Sequence, residues 1–267
     1  MTFRKQSPCL NFLFIWFLFL VTPSIVSATI TNGGFETGDF TGWQTIGDAS
    51  IQTSSFGSGP TAGTYEAVLT NDIFAYANNL SSGYGYVYPL SGSPAVHTND
   101  SFWGLPSGTL QAITLNPFVE YPPNIPPGPG SGIKQTIDGK AGNILSFNWN
   151  SLGDLGRWDY TFVSLVSSNS IFVSKLAGNG AGPPLNPSNT IFSYEAGFQT
   201  FSFLLPETAT YTLGFGVVQV GDTNYDSCLI IDNVRVPEPS TMLLLGLGLL
   251  GLAGFRKKIK SNISFRE

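Results

Sequence analysis

The amino-acid sequence predicts an all-β sandwich, and three observations lead to that class. Short runs of β-branched and aromatic residues follow one another along the central part of the chain, several of them alternating with polar residues. Gly, Asn, Asp and Pro separate these runs, as turns between strands require. An apolar period of 3.6 residues, which would indicate amphipathic helices, is almost absent there. We therefore expect one β-domain between two terminal segments.

The strands are predicted from the alternation of apolar and polar residues. The clearest case is Ile144 to Asn150, in which Leu145, Phe147 and Trp149 share one face of an extended chain. We assign Trp149, and likewise Trp43, to the core. The predicted strands are Trp43 to Ile46, Ala49 to Thr53, Tyr65 to Thr70, Ile133 to Ile137, Ile144 to Asn150, Tyr160 to Val166, Ile171 to Lys175, Phe198 to Leu205, Thr208 to Val220 and Leu229 to Val236.

Two proline- and glycine-rich segments interrupt this pattern. Asn116 to Gly132 and the shorter Gly178 to Pro187 are predicted to be surface loops or stiff connectors in extended polyproline geometry. The region from Asn71 to Gly132 is predicted to be an insertion between two core strands. Such insertions often carry the residues that determine binding specificity. The body of the protein is accordingly placed at residues 29–235, with an insertion at about 71–132.

The N-terminal segment is predicted to be a secretory signal peptide. Arg4 and Lys5 precede the apolar run Leu10 to Val21, and Val26-Ser27-Ala28 supplies small side chains for cleavage. Residues 1–28 would then be removed from the exported protein. The secretion translocon is the implied partner, and the body lies outside the cytoplasm.

The C-terminal segment has the order of features that a membrane-held sorting tail needs. Val236, Pro237, Glu238 and Pro239 precede an uncharged run from Met242 to Phe255, and the basic residues Arg256, Lys257 and Lys258 follow at once. Fourteen helical residues would measure roughly 21 Å, which is short of the hydrocarbon core of roughly 30 Å. We therefore predict a short transmembrane helix that depends on its flanking cations to reach the interface. Residues 236–260 resemble the PEP-CTERM sorting tail of Gram-negative bacteria. That resemblance implies processing by an exosortase-type enzyme after transient anchoring in the inner membrane, and then a cell-surface or extracellular location.

Charge and cysteine content narrow the function classes. Between Thr29 and Thr241 there are five basic and sixteen acidic residues, a net charge of −11, which argues against nucleic-acid binding. Cys9 leaves with the signal peptide, so Cys228 has no partner for an intramolecular disulfide. The core must be held by packing alone.

Two acids at opposite ends of the body form a candidate metal site. The segments Asn32 to Trp43 and Asp226 to Val236 resemble the first and last strands of galactose-binding-like jelly rolls, including carbohydrate-binding modules. That resemblance implies a jelly-roll sandwich in which the two segments are neighbours in one sheet, and it brings Glu36 close to Asp232. It also implies that these acids hold one structural Ca²⁺ with loop carbonyls. The alternative is that both acids accept hydrogen bonds from loop amides.

A candidate glycan-binding face lies in the insertion. Tyr84, Tyr86 and Tyr88 occupy alternate positions, so their rings share one face of an extended segment, and Trp103 lies further along. Aromatic faces bind sugar rings, but an aromatic ladder that covers a sheet edge would have the same pattern.

Catalysis has little support in the sequence. His97 is the single histidine, and the sequence has no G-x-S-x-G motif and no spacing typical of zinc ligands. Asp154 and Asp159 are close enough in the chain to be considered as a carboxylate pair, but both are expected to be exposed. We expect a non-enzymatic surface or extracellular-matrix protein. The alternatives are a module that binds exopolysaccharide and, further off, a glycoside hydrolase.

Overall fold

The computed structural model describes residues 30–72, 90–91, 93–97, 100–114, 127–153, 159–178, 182–220, 226–237 and 248. In these residues two antiparallel sheets pack against each other around a shared apolar core. The predicted all-β sandwich of jelly-roll type is confirmed. All ten predicted strands occur, and the segment Tyr160–Val166 has the predicted bounds.

The first sheet contains six strands among the described residues. They are β1 (Gln44–Ile46), β4 (Val96–His97), β5 (Pro127–Gly139), β7 (Tyr160–Val166), β8 (Ile171–Ala177) and β12 (Ala209–Val220). The order in the sheet is β1-β5-β12-β7-β8, and the short β4 also pairs with β5.

The second sheet contains seven strands in the described part of the chain. They are β2 (Asp48–Gln52), β3 (Glu66–Thr70), β6 (Ile144–Gly153), β9 (Asn186–Pro187), β10 (Tyr194–Glu195), β11 (Gln199–Leu204) and β13 (Cys228–Arg235). The order is β2-β3-β13-β6-β10-β9, and β11 pairs with the first half of β6. The last strand, β13, is therefore internal to its sheet.

The main core lies between the sheets. Alternate residues of β6, namely Leu145, Phe147 and Trp149, are buried in this core together with Phe215 of β12. Phe147 and Phe215 form an edge-to-face contact with 4.8 Å between their ring centroids. Trp43 and Trp149 are 6% and 5% exposed, so both belong to the core as predicted. Ring pairs of this kind contribute more to the stability of a core than the burial of their apolar area alone would.

The proline-rich segment before Gly132 differs from the prediction at its end. It was expected to be loop as far as Gly132, but β5 begins at Pro127. The register between β5 and β12 shifts between Val218 and Val220, opposite this stretch. Prolines fit into a sheet at such irregularities because a regular ladder of N–H donors is already interrupted.

Part of the insertion covers the outer face of the first sheet. A 3₁₀ turn (Asp100–Trp103) and the short helix α1 (Thr109–Thr114) bring Trp103, Leu105 and Leu110 against Tyr160 and Phe162. Trp103 is fully buried, and its indole N–H donates to the carbonyl oxygen of Phe215 at 3.2 Å. The prediction that Trp103 binds glycan is therefore wrong, because a buried ring has no face for a sugar.

Three glycines make room for the Trp103 ring. A Cβ added to Gly132 or to Gly214 would lie 2.3 Å from an indole atom, and one added to Gly216 would lie 2.9 Å away. These glycines come from β5 and β12, which are adjacent strands. The indole thus lies directly on backbone, an arrangement that no side chain at these positions would permit.

Candidate functional site

The segment that leads into β1 lies beside the end of β13. The amide of Val234 donates to the carbonyl oxygen of Gly33 at 2.8 Å, and a Cβ on Gly33 would lie 2.0 Å from the Val234 carbonyl oxygen. The first and last segments of the body are thus neighbours, as expected. They do not form one sheet, however, because residues 31–42 are turns and bends, and the flanking strands of β13 are β3 and β6.

Asp232, in β13, has a fully buried carboxylate. Its Oδ2 accepts hydrogen bonds from the amide of Thr61 at 2.7 Å, the hydroxyl of Thr61 at 2.5 Å and the amide of Ala62 at 2.9 Å. Its Oδ1 accepts from the amide of Asn233 at 2.6 Å. Four donors compensate the desolvation of one buried carboxylate, which would otherwise be costly.

Glu36 binds the other half of the same loop. Its Oε1 accepts from the amides of Thr64 at 3.0 Å and Tyr65 at 3.1 Å, and its Oε2 is 3.0 Å from the Thr64 nitrogen. Gly63 has a φ of +72°, and a Cβ there would lie 2.2 Å from Glu36 Oε1. A glycine is required at this point both by the backbone conformation and by the approach of the carboxylate.

The two acids therefore hold the loop of residues 61–65, which we call the clamp loop, from its two halves. Amide and hydroxyl groups reach the carboxylate oxygens that a Ca²⁺ would need, which is the alternative that the sequence left open. Because N–H and O–H donors surround these carboxylate oxygens, the site suits carboxylates that accept hydrogen bonds better than carboxylates that bind a cation. No group of three or more His, Cys, Asp or Glu residues suited to a metal occurs in the described ranges. Calcium at Glu36 and Asp232 stays a prediction.

Other carboxylates hold loops in the same way. Asp48 accepts from the amides of Leu90 at 3.0 Å and Ser91 at 2.7 Å, and Asp100 from those of Gly108 and Leu110 at 2.7 and 2.8 Å. Carboxylates at these positions fix backbone that no strand pairs, namely the turn at residues 90 and 91 and the start of α1.

Asp159 is buried, although the sequence analysis predicted that it would be exposed. Its side chain is 6% exposed and accepts hydrogen bonds from the side-chain amide of Asn71 at 2.7 Å and from the backbone amide of Val220 at 3.0 Å. Asp154 lies outside the described residues.

A buried polar group on the second sheet was missed by the sequence analysis. Glu66, the first residue of β3, is fully buried, and neither of its carboxylate oxygens has a hydrogen-bond partner. Burial, together with the negative charges of Asp232 and Glu195, raises the pKa of Glu66 to about 8. Nearby in the sheet, the Asn150 side-chain nitrogen donates to Glu195 Oε2 at 2.6 Å, whereas Asn150 Oδ1 has no partner. A glutamate at the start of an apolar strand was the only sequence signal.

A polar cavity of about 330 Å³ opens at the edge of the first sheet. Exposed Gln44 and Thr136 line it with Lys134, whose ammonium group donates to the carbonyl oxygen of Phe102 at 2.5 Å. Gln135 forms part of the wall, where it binds the backbone of Thr31 and Gly42 through both ends of its amide. This cavity could not be foreseen, because its lining comes from segments about a hundred residues apart.

The beginning of the sorting tail is attached directly to the core. Val236 follows β13 and is 6% exposed within the main core, whereas Pro237 is exposed. Glu238, Pro239, Arg256, Lys257 and Lys258 lie outside the described residues, as do Tyr84, Tyr86 and Tyr88. Over the part of the chain that the structure describes, we find no helix with the length and apolarity that a membrane crossing requires.

Comparison with known protein families identifies one motif. The family model of the PEP-CTERM protein-sorting motif matches residues 235–258. The chain thus carries this motif at its C-terminal end, as the sequence analysis expected, and the motif marks it as an exported protein. No curated protein matches the chain.

Comparison with solved structures finds distant likenesses of fold. A structure of TmCBM61 in complex with β-1,4-galactotriose is 12% identical over 79% of this chain and 99% of that one, with a TM-score of 0.41. A family 16 carbohydrate-binding module is 12% identical over 78% and 99% of the two chains, with a TM-score of 0.37. The enzymatically active domain of bacteriophage CBA120 tailspike protein 4 is 12% identical over 78% of this chain and 21% of that one, with a TM-score of 0.36.

Proposed function

We propose that this chain is a non-catalytic, exported surface protein whose β-sandwich is delivered by its C-terminal tail. The attachment of the tail carries the proposal. Val236 is packed in the core at the end of β13, and the sorting motif begins at the adjoining residue 235. The domain and the motif are therefore continuous, so processing of the tail determines where the whole domain goes. The proposed partners are the secretion translocon and an exosortase-type enzyme.

The use of the carboxylates supports a structural role. Asp48, Asp100 and Asp232 direct their oxygens to loop amides, and Glu36 does the same from the surface. A glycosidase needs two carboxyl groups that face a common open cleft with one of them free to exchange a proton. Glu66 has the raised pKa of a general acid, but its full burial separates it from any substrate.

The experiment is a change of the proline-containing triplet. Replacement of Pro237, Glu238 and Pro239 by alanine should leave the protein in the inner-membrane fraction, because the processing enzyme loses its recognition element while the apolar run and the basic residues remain. Ser240→Ala with Thr241→Ala is the matched control and should be released as the wild type is. Release of the triplet variant at the wild-type rate would refute the sorting role of these residues.

Glycan binding is the second candidate, and the cavity beside β1 and β5 is the observation that favours it. Its volume of about 330 Å³ is at the lower end of the range for small-molecule sites. Gln44, Thr136 and Thr212 offer the amide and hydroxyl groups that pair with sugar hydroxyls.

Affinity electrophoresis against the exopolysaccharide of the source organism tests this candidate. Gln44→Ala with Thr136→Ala should abolish retardation of the protein. Thr200→Ala with Ser202→Ala, exposed positions on the other sheet, is the control and should leave it unchanged. Equal mobility of wild type and both variants in the presence of the polysaccharide would exclude a glycan site in the cavity.

A further inference from the structure

One end of the sandwich contains the point at which the tail leaves the body, and we call it the exit end. The registers define it: Arg235 pairs with Ser146, and Gly139 pairs with Ala209. Three turns lie there, at residues 140–143, 167–170 and 205–208. They are tied together, since the Gly142 amide donates to the Leu205 carbonyl oxygen at 2.9 Å and the Ser167 hydroxyl donates to Glu207 at 2.5 Å.

Exposed apolar side chains gather at the exit end. Ile144, Ile171 and Leu204 are 49%, 53% and 62% exposed, and Ile144 and Leu204 are direct partners across β6 and β11. The two other large apolar residues that are exposed in the described ranges are Val96 and Ile191. They lie at the opposite end, because Val96 pairs with Gly130 and Ile191 lies between β9 and β10, which join the far end of β6.

Two basic residues accompany the apolar group. Arg235 is exposed beside Ser146, and Lys140 is half-buried in the first turn. Two carboxylates also lie at this end: Asp138 accepts from the hydroxyl of Thr210 at 2.6 Å, and Glu207 accepts from the side chains of the turn at 167–170. They offset the two basic residues, so the apolar group is what this end offers to the headgroup region of a bilayer.

The connecting segment is short enough to keep the exit end close to the bilayer. Five residues, 237–241, separate the last core residue from the apolar run that starts at Met242. Fully extended they span at most about 18 Å. The headgroup layer takes up roughly 5 to 8 Å of that length on each side of a bilayer. The exit end therefore cannot move far from the headgroups while the tail is in the membrane.

We infer that the exit end docks on the phospholipid surface through which its own tail passes, with Ile144, Ile171 and Leu204 entering the headgroup region. The inference rests on the proposed membrane passage of the tail. Docking would hold the sandwich upright on this end and present the residues around Pro237 at a fixed height above the bilayer. The opposite end, with Val96 and Ile191, faces away.

The test uses the full chain in phospholipid nanodiscs that contain a spin-labelled lipid as quencher. A fluorophore is attached to one introduced cysteine at a time, in Ile144→Cys, Ile171→Cys and Leu204→Cys, with Val96→Cys and Ile191→Cys as matched exposed controls. Cys9 is replaced by serine, and the fully buried Cys228 stays unlabelled in the folded protein. Leu245→Cys reports on insertion of the tail itself.

We expect at least threefold stronger quenching at the three exit-end positions than at the two controls, together with quenching at position 245. Equal quenching at all five body positions with a quenched tail would overturn the docking inference and leave the membrane passage standing. An unquenched tail would overturn both. A fluorescence change that follows protein concentration rather than quencher lipid would assign the patch to a second copy of the chain, and the inference would be wrong.

Discussion

The buried carboxyl group of Glu66 should make this protein less stable as the pH rises, and Glu66→Gln should remove that dependence. The group is fully buried, and both of its oxygens lack partners, so its charged form is disfavoured in the folded state. The pKa is raised from 4.5 to about 8, whereas the unfolded chain ionises near the ordinary value. The folded protein therefore binds a proton that the unfolded chain has lost over this pH range.

The sign and size of the effect follow from proton linkage. Stability falls as pH rises wherever the folded state binds more protons, here from about pH 4.5 to about pH 8. At about 1.4 kcal/mol for each pH unit, the loss amounts to at most about 5 kcal/mol by pH 8. A glutamine side chain has nearly the same shape as a protonated glutamate and no charge. The Glu66→Gln variant should therefore match the wild type near pH 5 and exceed it at pH 8.

Urea unfolding of the exported protein at a series of pH values between 5 and 8.5 measures this difference. Glu207→Gln is the matched control, because hydrogen bonds from Ser167 and Asn169 lower the pKa of Glu207 and its titration lies below this range. That variant should keep the wild-type fall in stability. Parallel curves for wild type and Glu66→Gln from pH 5 to 8.5 would refute the reasoning, since they would mean that the carboxyl group is solvated or paired.

The remaining predictions concern the clamp loop and the glycines under Trp103. Asp232→Ala should lower the free energy of unfolding by about 3 kcal/mol, because four donors lose their acceptor, and urea unfolding against a Thr200→Ala control measures it. If Ca²⁺ joins Glu36 and Asp232 as the resemblance implies, millimolar Ca²⁺ should raise the Tm by several degrees relative to EGTA. Mg²⁺ is the control ion, and Asp232→Ala should abolish the rise. Equal Tm values in Ca²⁺ and EGTA would mean that both acids serve only as acceptors for loop amides. Gly132→Ala should destabilise by about 1 to 3 kcal/mol, because the added methyl group overlaps the indole ring. Gly34→Ala is the control, because its Cβ would lie no closer than 3.7 Å to a neighbouring atom and Gly34 has no positive φ; a loss for Gly132→Ala no larger than for Gly34→Ala would contradict the packing argument.

Local sequence information was sufficient for the longer strands and for the sorting motif. The alternation in β6 and the apolar run of β7 depend only on which neighbouring residues share a face, so their positions could be read directly. The short strands β4, β9 and β10, of two residues each, could not, because two residues carry no period. The sorting motif was recognised for the same reason as β6: its features are contiguous in the chain.

Tertiary contacts decided what the candidate residues do. Trp103 has the sequence appearance of a surface aromatic in a loop, and its burial depends on Gly132 and Gly214, which come from two other strands. Asp232 and Glu36 were expected to come close together, and both accept hydrogen bonds from the clamp loop, but Thr61 of that loop is 171 residues from Asp232 in the sequence. The sequence alone thus determined the apolar–polar alternation within the strands and the sorting motif at residues 235–258. Only the packing of the two sheets decided which polar and aromatic groups are covered, because burial and hydrogen bonding depend on distances between residues that are far apart in the sequence.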